Sequence, residues 1–196
     1  MTEKVDRRVR RSRRLLGDAL LGLITEKQFS EITVQEIADR ADMNRATFYL
    51  HFHSREELLL SALTERFDEL VSKFGEISAI RPLWADPKID FLIFEHVAEN
   101  ARIYKALFDD PNLGLVIHAV IGYIATFNEQ KLLAFFPPDA PLPVPIPLLA
   151  QHIGGSLYAL IHWWLRNDMP YSVEEMASMC HLLFTKGCVD LLGQAA

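Results

Sequence analysis

Apolar residues recur along this chain at helical intervals. Between Arg7 and Lys27, the residues Leu16, Ala19, Leu20, Leu23 and Ile24 share one stripe, the 3.6-residue period of an amphipathic helix. Phe29-Ser30 interrupts it. Thr33 then heads a segment carrying Val34, Ile37, Ala38 and Ala41 on one side, and Glu36 three residues later predicts a capping box that starts the helix sharply. Asp42-Met43 forms a corner, and Asn44 caps a short helix reaching His51. Ser54, with Glu57 as its capping partner, opens a long amphipathic helix to about Ile77.

Beyond a break at 81–87, the stripe Phe91, Phe94, Val97, Ala98, Ala101, Tyr104 and Phe108 predicts one further helix, and Leu113–Phe136 another. Six prolines then fall within residues 137–147. No helix or central strand tolerates that density, so the segment reads as a stiff connector. Two helices follow, about Leu148–Arg166 and Val173–Leu192, the second headed by a capping box of Ser172 and Glu175. Strand-like alternation and internal repeats are absent from the sequence. The expected fold class is all-α.

Two short capped helices joined by about three residues across 33–52 have helix-turn-helix spacing. At 100° per residue, Phe48 and Phe52 fall on one side of the second helix and would lock into a core. Ala46 and Leu50 then face outward, with Arg45 and Tyr49 on one edge and Thr47 and His51 on the other. Such a front suits a duplex. Ala46 permits close approach to base edges, Arg45 can meet a phosphate or guanine, and Thr47, Tyr49 and His51 can donate to phosphate oxygens. Thr33, at an outward helix start, offers a hydroxyl and backbone N–H groups to a phosphate. Arg55, in the first turn of the next helix, is badly placed for that helix's dipole, which a backbone-phosphate contact would explain.

Charge supports one nucleic-acid-facing end. The whole chain is −6, yet residues 1–14 hold seven basic groups against two acidic ones. Residues 1–60 balance near +1 and the remainder near −7. Half the residues are hydrophobic, enough for a core. No apolar run reaches the length of a membrane span, and the basic N-terminus lacks the apolar stretch of a secretory signal, so a cytoplasmic location is expected. Cys180 and Cys188, eight residues apart in one helix, stand too far apart to bridge and read as buried thiols. Without Cys or His partners at ligand spacing, neither metal nor cofactor is expected.

The runs Thr33-Val34-Gln35-Glu36-Ile37-Ala38, Arg45-Ala46-Thr47-Phe48-Tyr49-Leu50-His51-Phe52 and Ser54-Arg55-Glu56-Glu57-Leu58 together resemble the TetR/AcrR family of transcriptional regulators. The match covers roughly residues 8–60. Departures are Asp42 where the family usually has Gly, Asn44 for Ser or Thr, Ala46 for Gly and Arg55 for Lys; Asp tolerates the positive-φ turn. The resemblance implies a helix-turn-helix DNA-binding domain at 1–53, with its basic arm at 1–14, and an effector-binding and dimerisation domain at 54–196. It implies a homodimer placing two recognition helices in successive major grooves of a palindromic operator, with release by a small-molecule effector. By position, phosphate contacts fall on Thr33, Thr47, Tyr49, His51 and Arg55, and base reading on Arg45, Ala46 and Tyr49. The segments Phe94–Asn100 and Trp163–Pro170 resemble, less specifically, a subgroup that includes dihydroxyacetone-kinase regulators.

In the acidic part, the aromatic residues Trp84, Phe91, Phe94, Tyr104, His118, Tyr123, Phe127, Tyr158 and Trp164 could line an inter-helix pocket or simply fill a core. The expected pocket set is Phe91, Phe94, Glu95, His118, Tyr123, Tyr158 and Trp164, with Glu95 able to counter a cationic ligand. One side of the 148–166 helix is wholly apolar. The other side, with His152, Gly155, Ser156, Ala159 and Trp163, is small or amphipathic and could be a dimer seam with Cys180 and Phe184 of the last helix, or an internal packing face. An enzyme is not expected: the chain has no nucleophile–base spacing, no His-x-x-x-His and no glycine-rich phosphate loop. The alternative to an operator-binding repressor is a co-regulator acting through protein partners.

Overall fold

The computed structural model describes residues 7–74, 86–137 and 141–186. Trp84, Cys188, the first six residues of the basic arm and the end of the expected last helix lie outside them. Among the described residues the chain forms nine α-helices and no strand: α1 (Arg7–Ile24), α2 (Val34–Arg40), α3 (Arg45–His51), α4 (Arg55–Phe74), α5 (Pro87–Glu99), α6 (Ala101–Asp109), α7 (Gly114–Phe135), α8 (Ile146–Arg166) and α9 (Val173–Phe184). No described helix is long and apolar enough to cross a membrane.

The caps set the helix starts. Thr33 and Glu36 close a reciprocal box on α2, and Ser172 and Glu175 do the same for α9. Asn44 accepts the backbone N–H of Thr47 at the head of α3. On α4 the pattern is shifted by one residue: Ser54 accepts from Glu57 N–H, but the Glu57 carboxylate reaches back to the N–H of His53. Asp42 turns the α2–α3 corner at φ 55, in the left-handed region that Asp adopts more readily than most residues.

Two segments differ from the sequence expectation. The stripe 91–108 is not one helix but α5 and α6, broken at Asn100. There the Asn100 side chain and backbone both donate to the His96 carbonyl, capping α5 from within and freeing the chain to restart. Helix α8 begins two residues early, at Ile146, with Pro147 in its first turn, where the missing N–H has no helical partner to lose. Ahead of it, Leu142 and Val144 of the proline segment pack on Leu132, Leu149 and Ala150.

The first core gathers Leu16, Leu20, Ile24, Phe29, Ile32, Ile37, Phe48, Phe52, Leu58 and Leu59, and continues into Leu107, Leu113 and Val116. Helix α1 lies close on α4 because Gly17 has no side chain; a Cβ there would stand 3.1 Å from that of Ala62. A second core, of Phe94, Val97, Ile161, Trp164, Leu165, Met176, Ala177 and Cys180, joins α5, α8 and α9.

Candidate nucleic-acid interface and ligand cavity

Helix α3 is seven residues long and too short to persist without tertiary anchoring. Its anchors are Phe48 and Phe52, both fully buried with ring centroids 6.0 Å apart. Arg13 of α1 adds a clamp: its guanidinium donates to the last-turn carbonyl of His51 at 3.2 Å and to Ser61 at 3.1 Å, and lies 4.3 Å over the Phe52 ring. Sequence reasoning had counted Arg13 only as part of a basic arm. The arm is thinned further at Arg14, which pairs with Asp18 and Glu69.

With both rings turned inward, Arg45, Ala46, Tyr49 and Leu50 are exposed, and Thr47 and His51 half-buried. Leu50 is 80% exposed, the most open large hydrophobic side chain among the described residues of the head. Arg45 Nη2 donates to the Tyr49 hydroxyl at 3.3 Å, so these two present a joined donor group. Thr47 spends its hydroxyl on Asn44. Thr33 is exposed, but its hydroxyl donates to Glu36, whose carboxyl is held down at about 2, chiefly by the Lys27 ammonium beside it and by the Thr33 N–H and hydroxyl. Arg55 has a structural task within the head. Its guanidinium donates to the carbonyls of Phe29, Ser30 and Ile32, and lies 4.9 Å over the Phe29 ring. That tie explains an arginine in the first turn of α4 without a ligand.

Helices α4 to α9 surround a cavity of about 180 Å³. Its wall is almost wholly apolar, including Leu63, Phe67, Leu70, Ile93, Val97, Leu107, Ile117, Val120, Ile121, Ile124, Leu157 and Ile161. Gly154 lets α8 approach α7 there; a Cβ would stand 3.3 Å from the Ile121 carbonyl. The polar lining is Asp90, His96, Tyr104, Asn128 and Tyr158. His96 Nε2 meets the Tyr104 hydroxyl at 3.1 Å. Burial lowers the His96 pKa, keeping the ring neutral, and pushes the Tyr104 phenol up to about 12.

Of the seven residues expected to line a pocket, Tyr158 does. Phe94 and Trp164 meet edge to face at 5.4 Å inside the second core, with Phe91 packed beside them. Glu95 is half-buried and off the cavity wall, and His118 is exposed. Tyr123 sits at the surface, donating to Asp68 at 2.8 Å. The reason is rotational: α5 turns Ile89, Asp90, Ile93, His96 and Val97 to the cavity and its phenylalanines to α8 and α9. Both faces are apolar, so periodicity does not tell them apart. Helices α8 and α9 sort the expected seam residues similarly. His152, Ala159 and Trp163 are exposed, and Gly155 and Ser156 partly covered. Cys180 is buried in the second core and Phe184 lines the cavity, so neither faces outward. The outward face of α9 carries Ser178, Leu182 and Leu183 instead.

One hydrogen bond joins the head to the region beyond α4 among the described residues. The Phe29 N–H, in the turn before α2, donates to the buried Asp110 carboxylate at 2.9 Å. Asp110 ends α6, and its other oxygen accepts from Asn112 N–H and side chain. Burial works to raise its pKa, but these donors outweigh it and hold the carboxyl below its usual range.

Comparison with known proteins places these two regions in a common frame. The family described as bacterial regulatory proteins, tetR family, matches residues 16–62, and a transcriptional regulator C-terminal region matches 91–186. The fatty acid metabolism regulator protein of Bacillus subtilis (strain 168) is 21% identical over 186 residues, covering 87% of this chain and 92% of its own length. Other curated HTH-type transcriptional regulators match over 62 to 89 residues, and the chain spans less than half the length of each. Among solved structures, the fatty acid degradation regulator FadR from Bacillus halodurans superposes with a TM-score of 0.68 at 20% identity, over 95% of this chain and 98% of that one. The dihydroxyacetone kinase operon activator DhaS gives 0.58 at 17%, over 94% and 96%. At these identities the structural likeness establishes the fold.

Proposed function

We propose, from the premise that the chain belongs to the TetR family of DNA-binding transcriptional regulators, that it is a homodimeric repressor released from a palindromic operator by an apolar small molecule. Residues 1–53 serve as the reading head and 54–196 as the effector and dimer part, in a chain working in the cytoplasm. The observation that carries this reading is the exposed α3 front over buried Phe48 and Phe52, in a fold that also encloses an apolar cavity.

On this reading α3 enters the major groove. Arg45 and Tyr49 meet guanine edges or phosphates, Ala46 allows close approach, and Leu50 touches a thymine methyl group. Thr47, His51 and Thr33 line the flanking phosphates, and the exposed arginines that open α1 add sequence-independent attraction. Two copies pair through the open side of α8 and α9, where Trp163, Leu182 and Leu183 are 48%, 54% and 59% exposed. That pairing sets the heads about one DNA turn apart or somewhat more. The apolar lining supports a hydrophobic effector, as do relatives named for fatty acid regulation. Release requires the ligand to prefer one arrangement of the heads. Helix α6 is the connecting element: Tyr104, Leu107 and Phe108 line the cavity, and Asp110 at its end grips Phe29 of the head.

Selecting bound fragments from genomic DNA, with and without apolar compounds, tests the whole reading. Arg45→Ala and Tyr49→Ala should each lose operator binding with melting nearly unchanged. Normal binding by both variants would refute the groove assignment.

A further inference from the structure

The cavity's polar groups are divided between its two ends. Phe74, Ile89 and Phe127 pack together, which brings the start of α5 beside the far part of α7 and places Asp90 and Asn128 at one end. Tyr104 contacts Phe108, and Phe108 contacts Tyr158, which places both phenols at the other. At the first end Asp90 Oδ2 meets His181 Nδ1 at 2.9 Å. Asn128 donates its amide to the Ile124 carbonyl at 2.9 Å, and its side-chain oxygen has no donor among the described residues. That end is therefore rich in acceptors. No lysine or arginine lines the cavity among the described residues.

A carboxylate entering here would set a second negative charge near Asp90, with His181 already engaged by that residue and no lysine or arginine on the described wall to offset it, a costly arrangement in an apolar cavity. A hydroxyl or ammonium would instead donate to the Asn128 side-chain oxygen and add to the His181 contact that Asp90 already has. Resting on the reading of this cavity as the effector site, we infer that it selects an apolar molecule ending in a hydrogen-bond donor without negative charge, an alcohol or an amine, and rejects the anionic end of a free fatty acid. Burial already pushes the Asp90 carboxyl above its usual range, against the pull of His181, so a donor seated beside it relieves an existing penalty.

The test is titration calorimetry at pH 7 on the full chain with octylamine, octanol and octanoate, repeated on Asp90→Asn and Asn128→Leu. Octylamine and octanoate both carry a charge, so their ratio cancels the general cost of bringing an ion into an apolar site. Octylamine should bind on the order of tenfold tighter than octanoate, the difference expected of a hydrogen bond to a charged group. Octanol against octylamine tells hydroxyl recognition from ammonium recognition. The amine-to-carboxylate ratio should fall toward unity in Asp90→Asn and shrink in Asn128→Leu, which retains a test should the first variant fold poorly. Octanoate binding as tightly as octylamine, or a ratio unmoved in either folded variant, overturns the inference and leaves the cavity reading standing. Failure of all three compounds to bind overturns the cavity reading and the inference with it.

Discussion

The α3 front and the cavity are built on opposite plans. The front is eight consecutive residues, Arg45 to the capping Phe52, whose roles follow from one helical rotation: two phenylalanines buried, the rest exposed or half-buried. The cavity draws its wall from six helices, from Leu63 to Phe184, and no short stretch of chain specifies it. A surface of the first kind depends on a few anchors and fails when one is lost. An enclosure of the second kind spreads its dependence over many side chains, so single losses alter its shape more than its existence.

The largest expected effect breaks the first plan. Phe48→Ala should cost about 3–5 kcal/mol, the usual penalty for truncating a buried aromatic ring, whereas Leu50→Ala should leave stability within about 0.5 kcal/mol. Chemical denaturation of the two variants measures the contrast; equal costs would mean that α3 is not held by its rings.

Next in size is the link between the two regions. Asp110→Ala leaves the Phe29 N–H buried without an acceptor, which should cost about 1–3 kcal/mol. Because the folded-state pKa of Asp110 lies below its ordinary value, its contribution is present at neutral pH. It should decline as pH falls below about 4 and vanish once the folded-state pKa is passed. Asp110→Asn should therefore be less stable than the native chain at pH 7 but show a shallower loss in acid. An unchanged acid slope would detach Asp110 from the head.

Filling the cavity should move stability no further than loss of the Asp110 link. Val120→Phe places a ring toward the 180 Å³ cavity and should change stability by about 1–3 kcal/mol, the usual range for added core volume, while removing ligand binding and keeping DNA binding. Loss of DNA binding along with ligand binding would show that the two regions are not separable.

The sequence made the first plan legible and the second mostly not. Asn44, Thr33 and Ser172 act on neighbours three residues away, so their caps could be placed before any fold was known. Phe48 and Phe52 read as inward because, four residues apart, they share one side of a short helix whose other side is mostly polar. On α5 no such contrast exists. Phe94 and Ile93 are adjacent and equally hydrophobic, and only the positions of α4, α7 and α8 make one a core residue and the other a cavity wall. Arg55 shows the same limit for charge: one nitrogen of its guanidinium binds carbonyls 23 to 26 residues earlier in the chain, partners that no local pattern announces.

By itself, then, the chain determined most of its helices, the caps of α2, α3 and α9, the positive-φ corner at Asp42 and the polar front of α3, because each is settled by residues within one or two turns of one another. Packing decided where the enclosure lies, that Asp90 faces His181 across 91 positions, and that Asp110 reaches Phe29 across 81. Those pairings depend on the relative rotation of packed helices, a quantity fixed by the sum of many nonlocal contacts and written in no single stretch of sequence.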